Sequence, residues 1–151
     1  MRQIILDTET TGLSSVSDRI IEIACIELEN HLPTGKKFHA FVNPCMDISD
    51  GAYQTHGITK EFLNDKPQFS EIANALIAFI KDHRLVIHNA DFDVGFLDAE
   101  FKIASSTYPS ISEICEIKDT LAIARDKFPG QRNSLDALSK RFDINLSLIH
   151  I

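Results

Sequence analysis

The sequence predicts one α/β domain, a mixed five-stranded sheet flanked by helices. Three observations carry that expectation. The first 43 residues hold three apolar segments of strand character joined by short connections, the pattern of an antiparallel meander. Beyond them, apolar stripes at helical spacing alternate with short apolar runs. No linker, repeat or low-complexity stretch interrupts the 151 residues, and a chain of that length with 44% hydrophobic content can bury a sizeable core without crosslinks.

Residues 2–7 read as a strand in which Ile4, Ile5 and Leu6 run straight into polar residues. Residues 18–29 are rich in Ile and read as a second strand, and residues 37–43 as a third, with Phe38, Ala40 and Val42 alternating. A loop holding Pro44 and Gly51 follows, and Thr59 is placed to cap a short helix. Residues 70–81 form a stronger helix, with Ile72, Ala75, Leu76, Phe79 and Ile80 on one stripe. Residues 85–88 read as a short buried strand, followed by a helix over about 93–104 for which Asp91 is the better N-cap. Residues 114–118 supply the fifth strand. Asp119 then caps a helix that stops before Pro129-Gly130, and Asn133, with Asp136 at the fourth position, starts another.

The formal net charge of −7 argues against a nucleic-acid partner only until its distribution is considered. Residues 118–141 carry six basic side chains against three acidic ones, a local +3, while the remainder stands at −10. Such a stretch beside a cation-filled acidic site can hold a phosphate backbone, and from charge alone a solvated helical surface is an equally good reading. Cys25, Cys45 and Cys115 are odd in number and lack Cys-x-x-Cys spacing, so they read as buried thiols of a reducing cytoplasm. No apolar run approaches the ~20 residues that span a bilayer, and no signal-peptide pattern opens the chain, so no membrane partner is expected.

Chemistry concentrates at two places. In Asp7-Thr8-Glu9-Thr10-Thr11-Gly12, two carboxylates at i and i+2 share one face of the first strand. Crowded carboxylates at the end of an apolar strand repel each other and lose hydration, which points to a divalent cation and to metal-assisted chemistry on phosphate. The same residues match the first, third, fifth and sixth places of an EF-hand loop. That alternative fails because a strand precedes the loop and Asp18 stands where a bidentate Glu belongs. The second place is Val86-Ile87-His88-Asn89-Ala90-Asp91-Phe92-Asp93, where a strand hands over to a helix. Asp93 falls in the first helical turn, fit either for a metal or for a cap, and His88 and Asn89 taken alone read as satisfied strand-end polar groups.

Together these two segments resemble the first and second motifs of the DEDD superfamily of 3′→5′ exonucleases, in its DEDDh branch. The likeness extends through Arg19-Ile20-Ile21-Glu22-Ile23, His56-Gly57-Ile58, Asp65-Lys66-Pro67 and residues 128–138, covering about residues 1–145. It is densest with members that proofread for replicative DNA polymerases. The resemblance implies a ribonuclease H-like fold and two Mg²⁺ or Mn²⁺ ions, with Asp7, Glu9 and Asp93 matching three of four catalytic metal carboxylates. It implies hydrolysis of the terminal phosphodiester of a single-stranded or frayed DNA 3′ end, with release of a nucleoside 5′-monophosphate. Thr10, Thr11, Gly12 and Leu13 match the loop that holds the terminal nucleotide. His56, Asn89 and Phe92 match positions near it, although core packing is the commoner role of such a Phe. The implied partner of the full-length protein is the catalytic subunit of a replicative DNA polymerase.

The family continues with a third motif, a His followed five residues later by an Asp, which supplies the general base and the fourth ligand. No such pair follows residue 138, and His150 lacks the following Asp, so it reads as a solvated terminal residue. The expectation is an exonuclease domain over residues 1–147, incomplete at its C-terminus, with residues 148–151 a truncated or non-native end. Because a positioned base typically contributes about 10²–10⁴-fold, negligible turnover is expected of residues 1–151 alone. The alternative function is a non-catalytic nucleic-acid-binding or polymerase-scaffolding module, which the retained carboxylates disfavour.

Overall fold

The computed structural model describes residues 1–144, and the expectations for Ser147, His150 and the end of the chain lie outside the described residues. Strand β1, Arg2–Thr10, is the hub. Its even-numbered residues Ile4, Leu6, Thr8 and Thr10 are buried, and it outruns the expected end at Asp7 because its threonines continue the ladder against β2, Ile20–Glu29. The two are antiparallel, with Leu6 opposite Cys25 and Glu9 opposite Glu22, and the register shifts after Glu9. Asp18 and Arg19 therefore belong to the loop rather than to the second strand.

Asn30 and His31 both take positive φ (51° and 67°), which closes a two-residue hairpin into β3, Leu32–Phe41. This edge strand starts five residues before the expected Lys37. Pro33 and Gly35 conceal its alternation, and both are tolerated because one side of an edge strand needs no ladder partner.

The stretch expected as a loop contains a helix, α1, Asp50–His56, capped by Ser49 and ended by Gly57 in the left-handed region (φ 69°). It buries no residue, so it has no apolar period to read. Thr59 caps α2, Lys60–Leu63, by accepting from Phe62 N–H. The stripe of α3, Phe69–Ile80, buries Phe69, Ala73, Leu76 and Ile80. Strand β4, Arg84–Ile87, pairs parallel with β1, and α4, Ala90–Ala104, follows at once. The cap of α4 is Asn89 in the left-handed region, not Asp91, since the tight exit from β4 demands that backbone.

A short α5, Ile111–Ile114, replaces the expected start of the last strand, so β5 runs Glu116–Asp119, parallel to β4. Then come α6, Thr120–Lys127, and α7, Leu135–Arg141, the latter capped by Ser134 rather than Asn133. Asn133 is committed elsewhere. Its amide donates to Phe128 O and Gln131 O and accepts from Arg141, bracing the loop before α7.

The strand order is β3-β2-β1-β4-β5. One face packs Ile4, Leu6, Ile23, Cys25, Leu85 and Ile87 against α3 and α4, whose Phe69 and Phe101 meet edge-to-face at 5.0 Å. Cys25 and Cys115 are buried free thiols. Cys45 is exposed, contrary to expectation, because it follows Pro44 in the loop after β3 with φ 54°. Among the described residues no helix is long and apolar enough to cross a membrane.

One carboxylate joins the two helices that flank the C-terminal ends of β4 and β5. Asp119 accepts from Leu121 N–H (2.8 Å) as the cap of α6, and from Asn89 and Ala90 N–H (3.0 and 3.1 Å) at the start of α4. A single cap is worth about 0.5–2 kcal/mol, so Asp119→Ala should lower the unfolding free energy by about 2 kcal/mol, towards the sum of two caps. Urea titration measures this, and a loss of only a few tenths would show that one of the two helices does not depend on it.

Candidate active site

Parallel pairing of β1 with β4 sets their C-terminal ends side by side, where the polar residues of both sequence clusters emerge. Asp7 and Glu9 alternate with inward-facing Thr8 on β1, and α4 brings Asp93 back from the β4 side. Thr8 fixes that carboxylate twice. Its N–H (3.1 Å) and its hydroxyl (2.6 Å) both donate to Asp93 Oδ1, so the second carboxylate oxygen takes neither bond.

Negative charge accumulates here. Burial pushes Glu9 up to about 7, aided by the neighbouring charges of Asp7, Glu22 and Asp93. Burial likewise pushes Asp93 up to about 6, with Asp7 adding to the shift and the Thr8 hydrogen bonds opposing it. Asp7 is raised by burial and by Glu22, while the Thr8 backbone amide and the nearby His88 favour its ionised form. Among the described residues no Lys or Arg forms an ion pair with Asp7, Glu9 or Asp93.

Glu22 is the participant that sequence reasoning missed. It reaches the cluster only through the β1–β2 register, opposite Glu9, and its carboxylate meets His39 Nε2 at 2.7 Å.

The donor set is wholly hard oxygen, which fits Mg²⁺ or Mn²⁺ and not zinc. Among the described residues no three carboxylate, imidazole or thiol groups converge tightly enough to form a complete cation site by themselves. That too fits an ion such as Mg²⁺, which binds through one or two carboxylates and completes its shell with water and substrate phosphate.

The segment after Glu9 is rigidly folded. Thr10 Oγ1 donates to Gly12 O (2.6 Å), and buried Thr11 donates from Oγ1 to Asp18 Oδ1 (3.0 Å) and accepts from Arg19 N–H (3.0 Å). Asp18 also accepts from Ser14 N–H (3.1 Å), and a Cβ on Gly12 would collide with the Asp18 carboxylate. The threonine hydroxyls expected near a ligand thus shape the loop itself, and Leu13 projects from it, 88% exposed.

His56 is placed against the same strand end. Its Nδ1 accepts from Ile58 N–H (3.0 Å), which leaves the proton on Nε2 to be donated to Thr10 O (3.1 Å). Asn89 exposes its side chain at φ 65°, and Phe92 packs half-buried against Phe96 at 4.9 Å. Beside His88 and Asn89 opens a hollow of about 490 Å³ that Arg125, Gln131 and Asn133 help to line.

The exonuclease family model (RNase_T) matches residues 4–150. Among curated proteins, the chain is 50% identical over 151 residues to DNA polymerase III subunit epsilon of Buchnera aphidicola subsp. Schizaphis graminum, covering 97% of this chain and 65% of that protein. It is 45% identical over 151 residues to the subunit of the same name from Escherichia coli K12, covering 97% and 62%. The chain thus spans a little under two thirds of these relatives' length. Among solved structures, exonuclease X in complex with 5′ overhanging duplex DNA aligns with a TM-score of 0.73 at 29% identity, covering 95% of this chain and 74% of that one. A product-bound exonuclease I aligns with a TM-score of 0.83 at 18% identity, covering 95% and 39%, and shares the fold.

The raised carboxylates predict a pH dependence with a definite sign. Glu9 ordinarily titrates at 4.5 and Asp93 at 3.8, so between those values and about 7 and 6 the folded chain keeps protons that the unfolded chain has lost. Stability contributed by these groups is complete below the lower values and is lost as pH rises through the higher ones. Without divalent ions the melting temperature should therefore fall between about pH 4 and pH 7. Mn²⁺ should raise it more at the upper end, and Glu9→Gln should flatten the profile. Scanning calorimetry across that range decides, and a metal-free profile that rises steadily to about pH 7 contradicts the assignment.

Proposed function

The chain belongs to the exonuclease family, and from that premise we propose that it forms the nuclease domain of a 3′→5′ exodeoxyribonuclease that proofreads for a replicative DNA polymerase. The family depends on divalent metal. Two Mg²⁺ or Mn²⁺ ions and a single-stranded or frayed DNA 3′ end are the cofactors and substrate of this reading. The observation that carries it is the group of Asp7, Glu9 and Asp93 at the joined ends of β1 and β4, mutually repelling, with Asp93 buried and Glu9 half-buried. A scaffold has no use for that destabilising arrangement. The names of the epsilon relatives and the DNA-bound state of exonuclease X support it.

Asp7, Glu9 and the second oxygen of Asp93 would hold the ions, with Thr8 fixing Asp93 in orientation. When bound, the ions supply an activated hydroxide and stabilise the departing 3′-oxygen. The loop of Thr10, Thr11, Gly12 and Leu13 would seat the terminal nucleotide, its backbone held by Asp18 and His56 and its exposed Leu13 free to pack on a base. Arg125 and Gln131 line the adjacent hollow, where they suit the phosphates of the preceding nucleotides. The general base is not assigned to any of the described residues.

Calorimetric titration with thymidine 5′-monophosphate in the presence of Mn²⁺ tests the site. The chain should bind it, thymidine 3′-monophosphate should bind more weakly, and Asp7→Ala should weaken binding by about tenfold or more. Equal binding by Asp7→Ala, or none by the unaltered chain, overturns the reading.

A further inference from the structure

Helix α4 holds the first motif at a second point, away from the carboxylates. Glu100 is 2% exposed, and its Oε1 accepts from Arg19 Nε, while Oε2 is buried with no partner among the described residues. Burial raises its carboxyl above the ordinary range, and Arg19 acts against that rise. Arg19 is equally committed at its backbone, where N–H donates to Thr11 Oγ1 (3.0 Å) and O accepts from Thr11 N–H (2.9 Å). Between these points the loop lies close on α4, since a Cβ added at Gly95 would meet Ser15 Oγ at 3.7 Å.

Asp93 and Glu100 are seven residues apart, two helical turns, and so share one face. Asp93 is bonded to Thr8 and Glu100 to Arg19, so α4 grips the chain on both sides of residues 9–18. That segment holds Glu9 and the loop of residues 10–13.

A buried glutamate paired with Arg19 on a helix whose Leu97 and Phe101 belong to the core is a poor way to add stability, because a buried ion pair rarely outperforms apolar residues of the same volume. Its geometry suggests another role. We propose that Glu100 is a positioning residue: through Arg19 it locks the loop of residues 11–19 onto α4, and so sets the separation of Glu9 from Asp93 and the shape of the nucleotide seat. The assignment of that seat rests on the exonuclease reading; the lock itself does not.

Glu100→Leu removes the charge and fills the space, and Arg19→Gln cuts the same link from its partly exposed end should the first variant fold poorly. Amide hydrogen exchange is followed at Thr11, Ser14 and Ser49, whose N–H groups are held by Arg19 O, Asp18 Oδ2 and Thr11 O. Exchange there should quicken about tenfold or more while β2 and β3 stay protected, the mark of a local opening. Affinity for thymidine 5′-monophosphate with Mn²⁺ should fall about tenfold, since small misplacements of a binding group are costly. Arg19→Lys, which keeps the charge, should recover most of both.

Unchanged exchange in a folded Glu100→Leu or Arg19→Gln variant overturns the lock, whatever the nucleotide result. Loosening spread over the whole sheet reduces Glu100 to a general stabiliser and overturns it as well. An unaltered chain that binds no nucleotide with Mn²⁺ defeats the exonuclease reading and the seat with it, while the exchange comparison still decides the lock.

Discussion

The paired hydrogen bonds from Thr8 to Asp93 connect the central strand to the helix that starts beyond its neighbour, and the site takes its form from that connection. A carboxylate 4% exposed in an apolar setting is costly unless its lone pairs are used. Thr8 meets one oxygen with two donors and thereby fixes the entry of α4 over the sheet. Phe96, Leu97 and Phe101, on the inner face of α4, can then pack on β1 and β4. The polar contact and the core below it specify the same placement of the helix.

That placement has an electrostatic consequence. Two strand carboxylates, a helix carboxylate and Glu22 from the next strand share a region where, among the described residues, no Lys or Arg pairs with the first three. Each charge makes the others harder to ionise, so the chain alone favours a partly protonated state. A divalent cation reverses this preference. The open arrangement of the carboxylates would leave part of such an ion's shell to water or other oxygen ligands.

Around this centre, other carboxylates hold backbone in place. Asp119 joins the starts of α4 and α6, Asp18 ties Thr11 to Ser14 across the loop, and Glu100 anchors Arg19. The acidic balance of the chain, −7 overall, is thus partly structural in purpose. Loops near a ligand ordinarily lie at the mobile end of a protein, and here the one following Glu9 is restrained at both ends by the same helix.

Much of this was legible in the residues themselves. Alternation in β1 and β2, the stripe of α3 and the strand-to-helix change at His88 are local patterns, because side-chain periodicity is imposed by the backbone a few residues at a time. The pairing of Asp7 with Glu9 and the approach of Asp93 followed from those patterns and from the family resemblance. What sequence did not disclose is non-local or lacks a buried face. Helix α1 has no apolar period because it buries nothing, and β3 began early behind Pro33 and Gly35. Asn89 rather than Asp91 begins α4 because the exit from β4 selects a left-handed residue. The sequence by itself determined most of the element types and the oxygen chemistry of the carboxylate cluster. Only the tertiary structure decided that Glu22 joins the cluster through strand register, that Asp119 serves two helices, and that Glu100 holds Arg19. Those relations link residues 13, 30 and 81 positions apart, and packing alone brings them into contact.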